Sequence, residues 1–402
     1  MRVKTSRSVL TVTTFAALVT VGLVAPAAAE PGATTQRARV TTAMEMAVKA
    51  GTPGMVAVVD TGSERFSAAR GSAFLHTPIP PRSDGRFRIG SVSKTFTATL
   101  VLQLAGESKI SLDDPIERYL PGLLPYEEVI TIRQLLQHTS GLPRTLPPEA
   151  TWASLPELTT ERFVHFTPDE VVRKTATQPL LFAPGTDWSY SNTGYTVLGM
   201  LVEQVTGLRY EAALRQRILE PLHLDATQFV RDFPVVFGAA ARGYEQIYPQ
   251  PRPKTDVTTF NLSRFFGAGT IISTGADLND FFDALLGGQL LSDAMLAAMK
   301  TTVPLGPGEG YGLGLTKLSL DPYCVGEGPV VWGHNGSVPG YSTWSMHTAN
   351  TDVQLTSMAN QSVTSTQEAR GAHLLTMISA FCTPEPAPAQ AGAQARMLEV
   401  TA

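Results

Sequence analysis

The sequence predicts an α/β protein of the α+β kind, in which one antiparallel sheet is flanked by helices and a mostly α-helical subdomain is inserted between the sheet-forming ends. Three observations carry this. Strand-like runs occur early, at 55–60 and 65–71, and return late, at 329–333, 341–347 and 353–358. Between them, residues 97–262 place apolar side chains at the three- to four-residue spacing of helices. A last helical run, 366–381, follows the late strands. The expected division is 30–96 with 263–382 for the sheet part and 97–262 for the helical insert.

The first 29 residues read as an export signal. Arg2, Lys4 and Arg7 form a positive start, 9–24 is uncharged and largely apolar, and Ala27-Ala28-Ala29 offers a cleavage site before Glu30. The expected mature protein is secreted and has no stable membrane span. Removing this segment takes three basic and no acidic residues, leaving 28 Lys+Arg against 35 Asp+Glu, a net charge of −7. Such a chain lacks the basic stripe of a nucleic-acid binder. Its 43% hydrophobic content is ample for a large core.

After a loose leader at 30–35, residues 36–50 read as a helix. Residues 55–60, the turn Thr61-Gly62-Ser63 and 65–71 form an expected β-hairpin. A helix opens near Ser91. Thr131-Ile-Arg-Gln134 has the form of a capping box, with Gly141 as the expected stop. Residues 193–205 give a clear helix ended by Gly207, and 210–219 another before Pro221. A strand is expected at 270–273 and helices at 277–286 and 293–300. The Ala/Pro/Gln-rich tail, 383–402, is expected to be disordered.

Cysteine occurs twice, as Cys324 and Cys382. In an exported chain an even number favours a disulfide. No HExxH, CxxC or clustered His pattern supports a metal site. The Gly-rich 306–314 lacks the Gly-Lys-Ser/Thr of a phosphate cradle, and no G-x-S-x-G elbow occurs.

The chemistry concentrates in three short stretches. In Phe87-Arg-Ile-Gly-Ser91-Val-Ser-Lys94, Ser91 stands at a helix start, where backbone N–H groups point outward. Lys94 lies nearly one turn on and returns to the same face. A lysine of depressed pKa can take the proton of a serine nucleophile. Taken alone, the pattern fits an N-capping serine beside a solvated lysine better. Tyr190-Ser-Asn192 follows 96 residues after Lys94. A tyrosine can pass a proton to a leaving group, and an asparagine grips an amide with donor and acceptor together; the plain alternative is an aromatic anchor with an Asn N-cap. Trp332-Gly-His334-Asn335-Gly336-Ser337 reads as a Gly-rich turn ending a strand. There a substrate backbone can lie against the strand, and the Ser337 N–H can join that of Ser91 as an oxyanion hole.

These stretches, in this order, resemble the serine penicillin-recognising hydrolases: class C-type β-lactamases, D-alanyl-D-alanine carboxypeptidases, and allied esterases and D-peptidases. The resemblance extends to Leu135-Leu-Gln-His138-Thr-Ser-Gly-Leu142 and Gly310-Tyr-Gly-Leu-Gly-Leu315. It is greatest to secreted D-alanyl-D-alanine carboxypeptidases, which share the placement of the two cysteines. It implies that Ser91 is acylated, that Lys94 and Tyr190 share the proton transfers, and that Asn192 binds a substrate amide. His334 takes the place where many relatives carry Lys. It also implies D-Ala peptides of peptidoglycan and β-lactams as partners, and no cofactor. An esterase, a D-aminopeptidase, a β-lactamase or a non-catalytic penicillin sensor on the same scaffold are the alternatives.

Two departures bear on substrate. Thr316 stands where those carboxypeptidases carry a basic residue for the terminal carboxylate, and strand alternation turns Lys317 to the other face. Arg264 stands where they carry an aromatic, and is the expected substitute cation. Asn335 replaces the usual Thr. His138 is expected to hold the fold rather than to catalyse.

Overall fold

The computed structural model describes residues 35–145, 160–246, 254–362 and 367–382. The expected export signal (1–29) and disordered tail (383–402) lie outside these.

The sequence opens with helix α1 (Gln36–Lys49), capped by Thr35, whose side chain accepts the Ala38 N–H. The hairpin β1 (Gly54–Asp60) and β2 (Arg65–Gly71) follows, then the short β3 (Phe87–Arg88) and a 3₁₀ turn, Gly90–Val92, leading into α2 (Ser93–Gly106). Next come α3 (Ile132–Gln137), α4 (Pro168–Thr175), α5 (Asn192–Thr206) and α6 (Tyr210–Leu214), the last continuing as a π turn, Arg215–Leu219. Short strands β4 (Gln228–Phe229), β5 (Tyr244–Glu245), β6 (Thr255–Asp256) and β7 (Ile271–Ser273) precede α7 (Gly275–Leu286) and α8 (Asp293–Lys300). Strands β8 (Val303–Gly306), β9 (Glu309–Tyr311), β10 (Thr316–Ser319), β11 (Val330–Val338), β12 (Tyr341–Thr348) and β13 (Gln354–Ala359) lead to α9 (Gln367–Phe381).

The main sheet has eight strands in the order β2-β1-β13-β12-β11-β10-β9-β8, every pair antiparallel. Alternation sorts its residues between two cores. Met55, Ala57, Val59, Leu355, Trp344 and Met346 pack with Val40 and Met44 of α1 and Met377 of α9. Val56, Val58 and Met358 face the opposite side with Phe87 and Phe260. The largest core joins α2, α3, α5, α6 and α7. Within it Phe96 stacks on Phe281, ring centroids 3.7 Å apart. Helix α2 is buried from Ser93 through Leu102, as expected of a central helix lined on all sides.

Several expectations change. The strand expected at 270–273 joins not the main sheet but a three-stranded one, β3-β7-β4. Strands β8 and β9 are not expected, because Gly and Pro mask their alternation, whereas β10 holds the alternation assumed for Thr316 and Lys317. The stretch expected as a turn at 334–337 is the middle of β11, which pairs with β12 as far as Val338. Helix α3 begins with its capping box as expected but ends at His138, which holds φ 62°, three residues before Gly141. The two cysteines form a disulfide, Cys324–Cys382, with Cα atoms 5.3 Å apart. Among the described residues no helix is long and apolar enough to cross a membrane.

Candidate active site

Ser91 sits in the 3₁₀ turn and Lys94 in the first turn of α2, so the i to i+3 spacing brings them together. Lys94 Nζ lies 3.0 Å from Ser91 Oγ, 2.7 Å from Asn192 Oδ1 and 3.0 Å from the Ala268 carbonyl oxygen. The lysine is fully buried. Desolvation first, and the nearby Arg144 cation second, hold its pKa well below the usual lysine range. A neutral amine has two N–H donors and one lone pair. The two acceptors, Asn192 Oδ1 and Ala268 O, take the donors, and the lone pair is left for the Ser91 proton. That is the arrangement of a general base.

Ser191, not Asn192, caps α5, its hydroxyl accepting the Gly194 N–H at 3.1 Å. The sequence alternative of an Asn N-cap is thereby replaced, and the Asn192 amide is released for Lys94. Tyr190 precedes the cap. Its ring stacks 4.7 Å from Lys94 Nζ. Its hydroxyl is buried and completes no hydrogen bond of normal geometry among the described residues, although Ser91 is near enough to lower its pKa. Burial outweighs Ser91 and Arg144, and the phenol stays above its ordinary pKa. At rest Tyr190 thus keeps its proton and Lys94 lacks one.

Strand β11 closes the other side. A Cβ on Gly336 would lie 2.0 Å from the Ile89 carbonyl oxygen and 2.8 Å from Ser91 N. One on Gly90, at φ +52°, would lie 2.7 Å from Ser337 N. These two glycines let the strand and the nucleophile turn approach until the N–H groups of Ser91 and Ser337 are neighbours. Strand β10 pairs with β11 only up to Gly333, so beyond it β11 has a partner strand on one side alone among the described residues. That leaves an edge for a substrate backbone.

His334 is buried and neutral, its pKa pushed down to about 3 by desolvation and by Lys94. Its Nδ1 donates to the Asn335 carbonyl, so Nε2 accepts the Tyr311 hydroxyl at 3.0 Å. Asn335 is in register with Trp344, one residue out of step with His334 and so on the other face of β11. Thr316, in register with Gly333 and Tyr311, lines a cavity of about 160 Å³ together with Trp188, Tyr190, His334 and Asn335. Lys317 also reaches its wall.

Arg264 does not join this cavity. It is 6% exposed, bonded through Nη2 to Glu161 Oε2 at 3.1 Å and stacked over Phe166, so it is neither a solvated residue nor a cation facing the cavity wall. His138 accepts the Ser191 N–H on Nδ1 at 3.1 Å and packs 4.3 Å from the Tyr190 ring, holding the loop in place.

Sequence reasoning passed over four residues. Tyr311 orients His334, and Trp188 lines the cavity. Arg144 lies with its guanidinium 5.3 Å over the Tyr190 ring and no acidic partner among the described residues. Glu309 lines the cavity as well. The first and third adjoin stretches that carried the resemblance, Gly310–Leu315 and Leu135–Leu142, which is where a signal for them existed.

A sequence model of the Beta-lactamase family matches residues 35–377. Penicillin-binding protein 4* of Bacillus subtilis is 30% identical over 302 residues, covering 72% of this chain but 64% of its own length. Esterase EstB of Burkholderia gladioli is 31% identical over 318 residues, covering 70% of this chain and 80% of its own. A D-stereospecific amidohydrolase from Streptomyces sp. superposes with a TM-score of 0.77 at 34% identity, covering 86% of this chain and 98% of that one. With Ser91, Lys94 and Tyr190 gathered at the head of a central helix against the free edge of an antiparallel strand, the chain belongs to the Beta-lactamase family of serine hydrolases.

Proposed function

We propose that this chain is an exported serine amidohydrolase that acylates on Ser91 and cleaves amide bonds adjoining D-residues. The observation that carries the chemistry is the buried Lys94 amine at 3.0 Å from Ser91 Oγ with its two N–H groups already engaged. Ser91 Oγ gives its proton to Lys94 Nζ as it bonds to the substrate carbonyl carbon. The oxygen's developing charge meets the Ser91 and Ser337 N–H groups. Collapse breaks the C–N bond, and the leaving amine takes a proton from Tyr190, which is resupplied by Lys94. Water then attacks the ester by the reverse route and frees Ser91.

The export reading is supported by the composition of residues 1–29. The D-residue reading is supported by the likeness to the Streptomyces amidohydrolase. A D-alanyl-D-alanine carboxypeptidase that also binds β-lactams is the second reading. It needs a cation for the terminal carboxylate; Thr316 and neutral His334 supply none, and Arg264 is bonded to Glu161. Arg144, over the Tyr190 ring and without an acidic partner among the described residues, is the observation in its favour.

The test compares purified protein on a D-phenylalanine amide, a peptide ending in D-Ala-D-Ala, and the same peptide amidated. Turnover of the amides at or above the free acid supports the amidohydrolase. Release of D-Ala from the free acid alone moves the carboxypeptidase to first place. If Ser91→Ala left all three rates unchanged, the nucleophile assignment would fall.

A further inference from the structure

The cavity that Tyr190 lines also carries a carboxylate, Glu309, that the reaction does not use. Tyr190 and His334 line the cavity together with the apolar Trp344, Met346 and Leu318. Glu309 lies on strand β9 in register with Leu318, on the face of the sheet that carries Trp344 and Met346. Its carboxylate is half-buried and makes no ion pair or hydrogen bond with any described residue. Lys317, the nearest cation in sequence, is in register with Gly310 and Trp332, one residue out of step, and makes no ion pair with it. A carboxylate partly removed from water without a partner is costly to keep. Desolvation raises its pKa accordingly. Here it lines the same cavity as Tyr190, beside apolar Leu318, Trp344 and Met346.

We propose that Glu309 is a specificity-determining residue that receives a primary ammonium group carried on an apolar stem of the substrate. The cavity's volume of about 160 Å³ accommodates a four-carbon chain with a terminal amine. The stem lies against Trp344, Met346 and Leu318, and the ammonium reaches the carboxylate. The substrate class is thus an amide or ester whose side chain is lysine-like. An all-carbon side chain of the same length would fill the middle and leave the carboxylate unpaired. This inference rests on the serine hydrolase reading of Ser91.

The test uses the whole protein with p-nitrophenyl esters of N-acetyl-D-lysine and N-acetyl-D-norleucine, which differ by a terminal ammonium against hydrogen. A charge-assisted hydrogen bond formed in a partly desolvated site contributes about 1.5–3 kcal/mol, equivalent to roughly 10- to 100-fold. The expected kcat/KM ratio, lysyl over norleucyl, is in that range for the native protein, falls to near one in Glu309→Gln, and is intermediate in Glu309→Asp. A native ratio near one, or a preference that survives Glu309→Gln, overturns the inference. Because the ratio is internal to each variant, a general loss of activity does not imitate the result. Absence of any acyl adduct on Ser91 by mass spectrometry, with either ester or with benzylpenicillin, would instead overturn the hydrolase reading beneath it.

Discussion

The closeness of β11 to the nucleophile makes Gly336→Ala the sharpest probe of the site. The added methyl would lie 2.0 Å from the Ile89 carbonyl oxygen and 2.8 Å from Ser91 N. Ordinary C···O contacts begin near about 3.3 Å, so strand and turn must separate by more than about 1 Å. Whichever side yields, the N–H groups of Ser91 and Ser337 part. A displacement of that size costs about 10²-fold, and losing one oxyanion donor costs about 10²–10³-fold. The acylation rate should therefore fall about 10²- to 10³-fold. Overpacking of this kind costs about 1–3 kcal/mol of stability, which a domain of ordinary stability survives. The assay is stopped-flow acylation with a chromogenic ester, read beside a thermal melt. Gly371→Ala in α9 is the control, since a methyl there meets nothing within 4 Å and should leave acylation intact. Acylation of folded Gly336→Ala within threefold of the native rate would refute the placement of Ser337 in the oxyanion hole.

Three other outcomes follow from the same structure. Arg144 holds the Lys94 pKa down, so Arg144→Gln should raise it and move the acid limb of the pH–rate profile to higher pH; an unmoved limb would dissociate the two residues. The disulfide closes a loop of sequence separation 58, which in the chain-entropy model stabilises by about 4 kcal/mol. A Cys324→Ser, Cys382→Ser pair should lower the urea midpoint correspondingly, and an unchanged midpoint would show the bond to be dispensable. His334, His347 and His373 are buried and neutral, each with its pKa lowered to about 3 by desolvation. The unfolded chain protonates them near pH 6.5, so their contribution is complete above that pH. It is lost as pH falls toward 3, at up to about 1.4 kcal/mol per unit for each. Urea midpoints should drop between pH 7.5 and 5, before carboxylates titrate; a flat profile would contradict the burial.

Much of this was legible because the sequence marks backbone events with particular residues. Thr131 and Gln134 announce a capping box, and Gly207 stops α5 in the left-handed conformation. Helix geometry put Ser91 and Lys94 on one face, and the later stretches made them a candidate pair. What stayed hidden depends on contacts distant in sequence. Whether residues 334–337 turn or run on is decided by the partner strand β12, not by their own glycines. Arg264 looked like an available cation because Glu161, its partner, lies 103 residues away. Arg144 adjoins a stretch that carried the resemblance; it and Glu309 matter because no described residue forms an ion pair with them where the fold puts them.

That asymmetry of charge explains how the site divides its work. Lys94 is neutral because it is buried, His334 is neutral because it is buried beside Lys94, and Tyr190 keeps its proton for the same reason. The resting group is therefore uncharged, and in the proposed mechanism acylation creates the first charges, an ammonium at Lys94 and an oxyanion opposite it. In a water-poor site these attract each other strongly, and the attraction exists only as the transition state is approached. A permanent cation at position 334, such as the lysine many relatives carry there, would instead oppose protonation of Lys94 and depress its basicity further. With histidine in that place, Lys94 keeps more of its proton affinity. The cost falls on substrate carboxylates, which lose a fixed cation to bind. On the proposed reading such an enzyme is favoured on neutral amides and esters, and the proposed contact at Glu309 takes a substrate's cation without placing a second positive charge beside the base.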